Sequence, residues 1–112
     1  MKERVLSGVR STGNLHLGNY FGAIKNFIQM QEDYEAYFFI ANLHALTTHP
    51  NPTLLKKSVR ATLVEYIACG LDPEKSTIYV QSDVPEISEL YALLNMLAYK
   101  GELEKTVTFK DK

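Results

Sequence analysis

The sequence predicts an α/β fold built on a parallel sheet, and two observations carry this prediction. Short apolar or β-prone runs occur three times along the 112 residues, and after each run the apolar residues recur at helical spacing. A connection that contains a helix is long enough to join two parallel strands by a right-handed crossover. The order strand-helix-strand-helix-strand-helix therefore predicts one half of a Rossmann-like, dinucleotide-type sheet.

The first strand and the first helix flank a loop that is rich in turn-forming residues. Residues 5–9 form the β-prone run, and residues 10–14 supply the turn formers. From Gly18 onward, apolar residues return every three or four positions, so they lie on one face of a helix that ends at Glu32-Asp33. The residues of this face are Tyr20, Ala23, Ile24, Phe27 and Ile28.

Two further strand-helix pairs follow. Residues 36–41 are nearly all apolar, which predicts a central strand covered on both faces. Asn51 and Pro52 provide an N-cap and a first helical residue, and Gly70 ends that helix. Residues 77–81 predict the third strand, Pro85 opens a last helix, and residues 101–112 are too polar to give a clear prediction. The apolar face of the last helix is expected to join the core and comprises Ile87, Leu90, Tyr91, Leu94, Leu97 and Ala98.

Composition and charge limit the class of protein. Hydrophobic residues make up 46% and charged residues 22%, as in ordinary globular proteins. The net charge of −1 supplies no global field for a polyanion, so any nucleic-acid contact must be local or lie outside this segment. Cys69 stands alone, which excludes an internal disulfide and a multi-cysteine zinc site, and we expect it to be a small buried residue. Without a long apolar segment, repeat or linker, the sequence predicts a cytoplasmic protein with no membrane contact and one domain over residues 1–112.

The first strand-to-helix turn is the expected phosphate-binding segment. In α/β sheets the backbone N–H groups and the helix dipole meet an anion at the carboxyl end of a strand. Here that turn is SGVRSTGNLHLGNY, from Ser7 to Tyr20. It has no Gly-Lys-Ser/Thr, and its glycines Gly8, Gly13 and Gly18 lie five apart, so it is neither a P-loop nor a GxGxxG loop.

His16-Leu17-Gly18-Asn19 resembles the His-Ile-Gly-His signature of class I aminoacyl-tRNA synthetases and of related nucleotidyltransferases. The resemblance extends over almost the whole chain to the tryptophanyl-tRNA synthetases, through the segments SG, TGNLHLGNY, GAI, NLHALT, YIACGLDP, VQSDVPE and YKGELEK in the same order. GNY and VQSDVPE are similar to the tryptophan branch more than to the tyrosine branch. The resemblance implies the amino-terminal portion of a class I synthetase catalytic domain.

The resemblance also implies an activity and roles for individual residues. Enzymes of this family activate tryptophan with ATP and Mg²⁺, transfer it to tRNA(Trp), and form homodimers. The alternative to core burial for Tyr91, Leu94 and Leu97 is therefore that they lie partly in a subunit interface. His16 would donate a hydrogen bond to phosphate oxygens as charge develops, and Gly18 would let the nucleotide pack against the backbone. The expected sites are catalytic His16 and Asn19; ATP-binding Arg10, Ser11, Thr12, Gly18 and Asn19; and substrate-binding Gly8 and His44, with no resident metal site.

The chain departs from the family pattern at two places. The family usually has Gln-Pro-Ser where this chain has Arg10-Ser11-Thr12, so Arg10 either strengthens phosphate binding or pairs with a surface carboxylate. The family commonly has Asp where this chain has Asn42, which leaves the charge of the tryptophan pocket open. His44 itself either lines that pocket or packs among polar neighbours without touching the substrate.

Two other functions remain open at this stage. One is a small nucleotidyltransferase with a His-x-Gly-His-like loop, which the absence of a second histidine at position 19 disfavours. The other is a noncatalytic binding module of flavodoxin-like topology. The family's Lys-Met-Ser-Lys-Ser-type loop, tryptophan-specifying carboxylate and anticodon-binding helical domain do not occur within these 112 residues. We therefore expect this polypeptide alone to be catalytically incompetent and prone to associate.

Overall fold

A computed structural model describes residues 2–11, 16–48 and 50–106. In these ranges the chain forms a sheet of three parallel strands in the order β1-β2-β3. The strands are β1 (Arg4–Arg10), β2 (Glu35–Ala41) and β3 (Ser76–Val80), each within one residue of its predicted bounds. The predicted α/β fold with a parallel sheet is confirmed.

The strands pair in a continuous register that aligns their ends. Arg4 pairs with Glu35 and Arg10 with Ala41, so β1 and β2 begin and finish together. On the other side of β2, Ile40 pairs with Val80, the last residue of β3. The segments that leave the three carboxyl ends therefore start from one edge of the sheet.

The first crossover is one helical run with a change of pitch near its start. It consists of α1 (Leu17–Asn19), a π-helical turn (Tyr20–Ile24) and α2 (Lys25–Asp33). The predicted extent of this helix is confirmed, but the π turn was not predicted. Apolar spacing does not reveal one added residue in a turn, since the residues that follow resume the ordinary period.

The second crossover begins with short helical turns and continues in the longest helix. α3 (Asn42–Ala45) and a 3-10 turn (Leu46–Thr48) follow β2 directly and are too short to leave a periodic pattern in the sequence. α4 (Pro52–Ala68) starts as predicted, because the Asn51 side chain accepts hydrogen bonds from the N–H groups of Thr53 and Leu54. Gly70 has φ 111°, the left-handed conformation with which many helices end.

The core lies between one face of the sheet and the helices α2 and α4. Phe27 stacks on Phe38 with ring centroids 4.4 Å apart, and it meets Tyr66 edge-on at 6.2 Å. Alternate residues of β2 are buried on this face, whereas Tyr37 and Phe39 on the other face are half-buried. The expectation that β2 is covered on both faces is therefore wrong for the part of the chain that the structure describes. The residues on its second face are aromatic, so residues 36–41 are nearly all apolar in sequence although only one face is fully buried.

Two expectations about burial need correction. The last long helix, α5 (Glu86–Leu97), starts after Pro85 as predicted, but its apolar face does not join the core: Leu90, Tyr91, Leu94 and Leu97 are 57%, 70%, 56% and 75% exposed. Apolar spacing identifies a face of a helix but not the surface that covers it. Cys69 packs against the core but is half-buried, not fully buried as expected. A short helix, α6 (Lys100–Leu103), follows α5.

A polar cluster joins β1 and β2 at their amino ends, away from the edge where the strands finish. Glu35 accepts from the Arg4 Nε at 3.0 Å and from the Tyr37 hydroxyl at 2.6 Å. The hydrogen bond from Tyr37, followed by that from Arg4, lowers the pKa of Glu35.

Among the described helices, none is both long and apolar enough to cross a membrane.

Gln31 holds the end of α4 against α2. It is 4% exposed, its Nε2 donates to the Gly70 C=O at 3.1 Å, and its Oε1 accepts from the Asp72 N–H at 2.9 Å. One side-chain amide thus satisfies two backbone groups of the turn that leads into β3.

Replacing Gln31 by Ala should lower the free energy of unfolding by roughly 1–3 kcal/mol, because two partly buried backbone groups lose their partners. Urea denaturation measures this loss. The exposed Gln29 on the same helix is the control, and Gln29→Ala should change the unfolding free energy by less than about 0.5 kcal/mol. Equal effects of the two substitutions would contradict the role of Gln31.

Candidate functional site

Polar segments leave all three strands at the same edge of the sheet. β1 ends at Arg10, and the chain returns at His16 to open α1. β2 runs into α3, which carries His44, and β3 runs into the 3-10 turn Gln81–Asp83. This edge is where α/β sheets bind ligands, as the sequence predicted for the first turn.

His16 and Asn19 form a reciprocal cap at the start of α1. The His16 Nδ1 accepts a hydrogen bond from the Gly18 N–H at 3.1 Å, and the Asn19 Oδ1 accepts from the His16 N–H at 3.1 Å. Because Nδ1 is an acceptor, the proton of the neutral imidazole is assigned to Nε2. The exposed His16 ring therefore presents Nε2–H as a donor, and Asn19 keeps its Nδ2 amide as a donor.

Gly18 makes room for this cap. A Cβ at this position would lie 2.9 Å from the His16 Cε1 and 3.0 Å from its Nδ1. A side chain at residue 18 would therefore push the imidazole away from the Gly18 N–H. The predicted contact of Gly18 with a nucleotide stays a prediction, and the structure adds a reason for glycine within the protein itself.

The residues at the end of β1 differ in their surroundings. Arg10 is exposed, whereas Ser11 is 3% exposed and its hydroxyl has no hydrogen-bond partner in the part of the chain that the structure describes. Thr12 lies outside the described residues. A Cβ on Gly8 would lie 2.5 Å from the Phe39 carbonyl oxygen, so glycine is required there by the close approach of β2.

A second group of hydrogen bonds joins the ends of β2 and β3. The Asn42 Oδ1 accepts from the N–H groups of Leu43 at 3.0 Å and Ser82 at 3.1 Å, while its Nδ2 donates to the Ser82 Oγ at 2.9 Å. The His44 N–H donates to the Gln81 Oε1 at 3.3 Å. The segments NLHALT and VQSDVPE are thus bonded to each other. Sequence reasoning did not assign roles to Gln81 and Ser82, although two polar residues directly after β3 were a usable signal.

His44 faces a cavity between α3 and α5. The cavity has a volume of about 400 Å³ and is lined by Leu43, His44, Thr47, Gln81, Ile87, Ser88 and Tyr91. Its walls mix aliphatic and aromatic groups with a few polar ones, which suits a small amphipathic ligand. His44 thus lines a cavity, and its predicted contact with a substrate stays a prediction.

A family model described as "tRNA synthetases class I (W and Y)" matches residues 1–112. The chain belongs to this family. A curated tryptophan–tRNA ligase from Porphyromonas gingivalis is 64% identical over 110 residues, which cover 98% of this chain and 34% of that protein. The chain therefore spans about a third of the length of the curated relatives that it matches.

Solved synthetase structures share the fold. The tryptophanyl-tRNA synthetase from Campylobacter jejuni, complexed with ADP and tryptophan, is 42% identical with a TM-score of 0.88, over 96% of this chain and 34% of that one. The enzyme from Mycoplasma pneumoniae is 35% identical with a TM-score of 0.92, over 99% and 32%. The predicted class I synthetase fold and the resemblance to the tryptophan branch are confirmed. The assignment also disfavours the nucleotidyltransferase and the flavodoxin-like module.

Asn42, where the synthetase family commonly has Asp, gives a test of the bonds between β2 and β3. Asn42→Ala should lower the unfolding free energy by roughly 1–3 kcal/mol, because two backbone N–H groups lose their acceptor. Asn42→Asp should cost less, since a carboxylate accepts from the same N–H groups and the Ser82 hydroxyl can turn to donate to it. Chemical denaturation compares the variants, and equal losses for Asp and Ala would contradict this account.

Proposed function

We propose that residues 1–112 form the amino-terminal, ATP-binding portion of the catalytic domain of a tryptophan–tRNA ligase. The reaction is ATP-dependent activation of tryptophan to tryptophanyl-adenylate, followed by transfer to tRNA(Trp). One observation carries the proposal: the capped His16-Gly18-Asn19 turn lies at the carboxyl edge of a parallel sheet, in a chain 64% identical to a tryptophan–tRNA ligase. The Campylobacter jejuni enzyme, solved with ADP and tryptophan, supports the choice of ligands.

Activation requires stabilisation of charge and no covalent nucleophile on the protein. A carboxylate oxygen of tryptophan attacks the α-phosphorus of ATP, a new P–O bond forms, and pyrophosphate leaves with the electrons of the broken bond. His16 donates its Nε2–H, and Asn19 its Nδ2–H, to phosphate oxygens as negative charge develops. Both donors are held in place by the cap before ATP arrives, so little reorganisation accompanies the reaction.

Residues around the cap complete the proposed ATP site. The exposed Arg10 guanidinium adds a permanent positive charge at the end of β1. Ser11, Thr12 and Gly18 are assigned to the same site through the family resemblance. Magnesium is proposed to accompany ATP, as the family resemblance implies, because this cation is commonly bound through substrate phosphates.

The cavity beside His44 is proposed to take tryptophan, and Gly8 is assigned to substrate binding through the family resemblance alone. Its mixed apolar and polar lining fits an indole ring that carries one N–H donor. We further propose that the whole protein binds tRNA(Trp), forms a homodimer and resides in the cytoplasm. The exposed apolar face of α5 is suited to the dimer contact.

His16→Ala in the full-length protein should reduce tryptophan-dependent ATP–pyrophosphate exchange on the order of a hundred- to a thousandfold, the usual effect of losing a preorganised donor to developing charge. His16→Asn is the matched control, because asparagine can cap the helix but is too short to place a donor where Nε2 lies. Both variants should lose activity. A loss below about threefold for Ala would refute the donor role, and full activity of the Asn variant would show that His16 serves only as a cap.

The 112 residues alone should give no tryptophan-dependent ATP–pyrophosphate exchange, since the chain matches about a third of its relatives' length. Calorimetric titration with ATP and with tryptophan, on this polypeptide and on the full-length protein, then separates binding from catalysis. Robust exchange by the polypeptide alone would refute the division of the active site proposed here.

A further inference from the structure

The side chain of Tyr66 connects α4 to both strands that carry the site. None of Tyr66 is exposed to solvent. Its hydroxyl accepts a hydrogen bond from the Val9 N–H at 3.0 Å and donates one to the Phe39 C=O at 3.3 Å. The buried hydroxyl therefore uses both its acceptor and its donor on backbone groups of two neighbouring strands.

These two backbone groups belong to the same rung of the sheet. In a parallel ladder, alternate residues of one strand exchange hydrogen bonds with the next strand. The Glu35 N–H donates to the Glu3 C=O, and Arg4 pairs with Glu35, which sets the phase of the ladder. Because the hydrogen-bonding pattern repeats every two residues along each strand, the Val9 N–H faces the Phe39 C=O. The Tyr66 hydroxyl thus binds both ends of one β1–β2 rung.

A close contact between the two strands lies beside this rung. Gly8 pairs with Phe39, and a Cβ on Gly8 would lie 2.5 Å from the Phe39 carbonyl oxygen. Glycine permits this approach, and the tyrosine hydroxyl holds it from the helix side. Burial raises the pKa of Tyr66 to about 12, so the phenol stays protonated and keeps donating to Phe39 at physiological pH.

Both candidate binding segments begin within three residues of this rung. Arg10 follows Val9, and Asn42, which holds the turn of His44, follows Phe39 by three residues. We propose that Tyr66 is a positioning residue for tryptophan activation: its hydroxyl sets the spacing of β1 and β2 at their carboxyl ends, and with it the distance between the Arg10 segment and the His44 turn. This inference rests on the proposed function.

A purely structural role would have a different signature. Removing a hydroxyl that only stabilises the core lowers the unfolding temperature but leaves the activity of each folded molecule unchanged. Removing one that sets the spacing of two binding segments lowers turnover in the folded enzyme, because displacements of about an ångström can cost on the order of a hundredfold.

The test compares Tyr66→Phe with Thr62→Val in the full-length protein. Phe keeps the ring in the core and removes only the hydroxyl. Thr62 is the matched control, since it lies one turn earlier on α4, is fully buried, and donates its hydroxyl to Ser58 C=O of its own helix at 2.9 Å. At a temperature where both are folded, kcat for ATP–pyrophosphate exchange should fall on the order of ten- to a hundredfold for Tyr66→Phe. Thr62→Val should stay within about twofold of wild type.

A Tyr66→Phe enzyme within about twofold of wild-type kcat, or an equal loss in Thr62→Val, would overturn the inference. If the wild-type enzyme shows no tryptophan-dependent exchange, the proposed function is wrong, and crystal structures of the two variants then decide the role of Tyr66. Tyr66→Phe should move Arg10 relative to Asn42, and Thr62→Val should not. Superposable strand ends in both variants would refute the positioning role independently of activity.

Discussion

The in-register parallel pairing of β1 with β2 is the constraint on which the rest of the structure depends. Arg10 and Ala41 form the last pair of this ladder, so two chain segments far apart in sequence leave the sheet side by side. One segment leads to the capped start of α1, and the other leads to the turn that carries His44. Without the shared end point, the donors around His16 and the cavity beside His44 would not belong to a single edge.

Several residues at this edge make hydrogen bonds within the protein and still keep a donor for a ligand. His16 uses Nδ1 to cap α1 and leaves Nε2 free to donate, while Asn19 uses its oxygen and keeps its amide. Gly18 has the same double character, since its missing side chain admits the imidazole and also leaves backbone exposed. A substitution at any of these positions therefore changes local structure and chemistry together, which is why matched replacements that preserve the cap are needed to separate the two.

Local patterns in the sequence were enough to predict the strands and the bounds of the long helices. Asn51, Pro52 and Gly70 fix the bounds of α4 because each acts on the backbone next to it, and the strand runs were found for the same reason. The contacts that hold distant segments together could not be found in this way. Val9 and Tyr66 are 57 residues apart, and Gln31 and Asp72 are 41 apart, so no periodic signal links them.

The exposed face of α5 was misjudged because spacing shows that a face is apolar without showing what covers it. For the site, the motif located His16, Gly18 and Asn19, but the support that Gln81 and Ser82 give to the second turn became visible only in three dimensions.

The π-helical turn at Tyr20–Ile24 has a consequence for how the first crossover tolerates change. One extra residue in a turn rotates everything after it by about 100° relative to an uninterrupted α-helix. The capped start of α1 and the buried face around Phe27 therefore differ in helical phase, and the π-helical turn between them accommodates that rotation. Deleting a single residue between Tyr20 and Ile24 would convert the turn to a regular helix and rotate either the core face or the cap out of place. Length in this short stretch is consequently as restricted as residue identity, even though Phe21 and Gly22 are exposed to solvent.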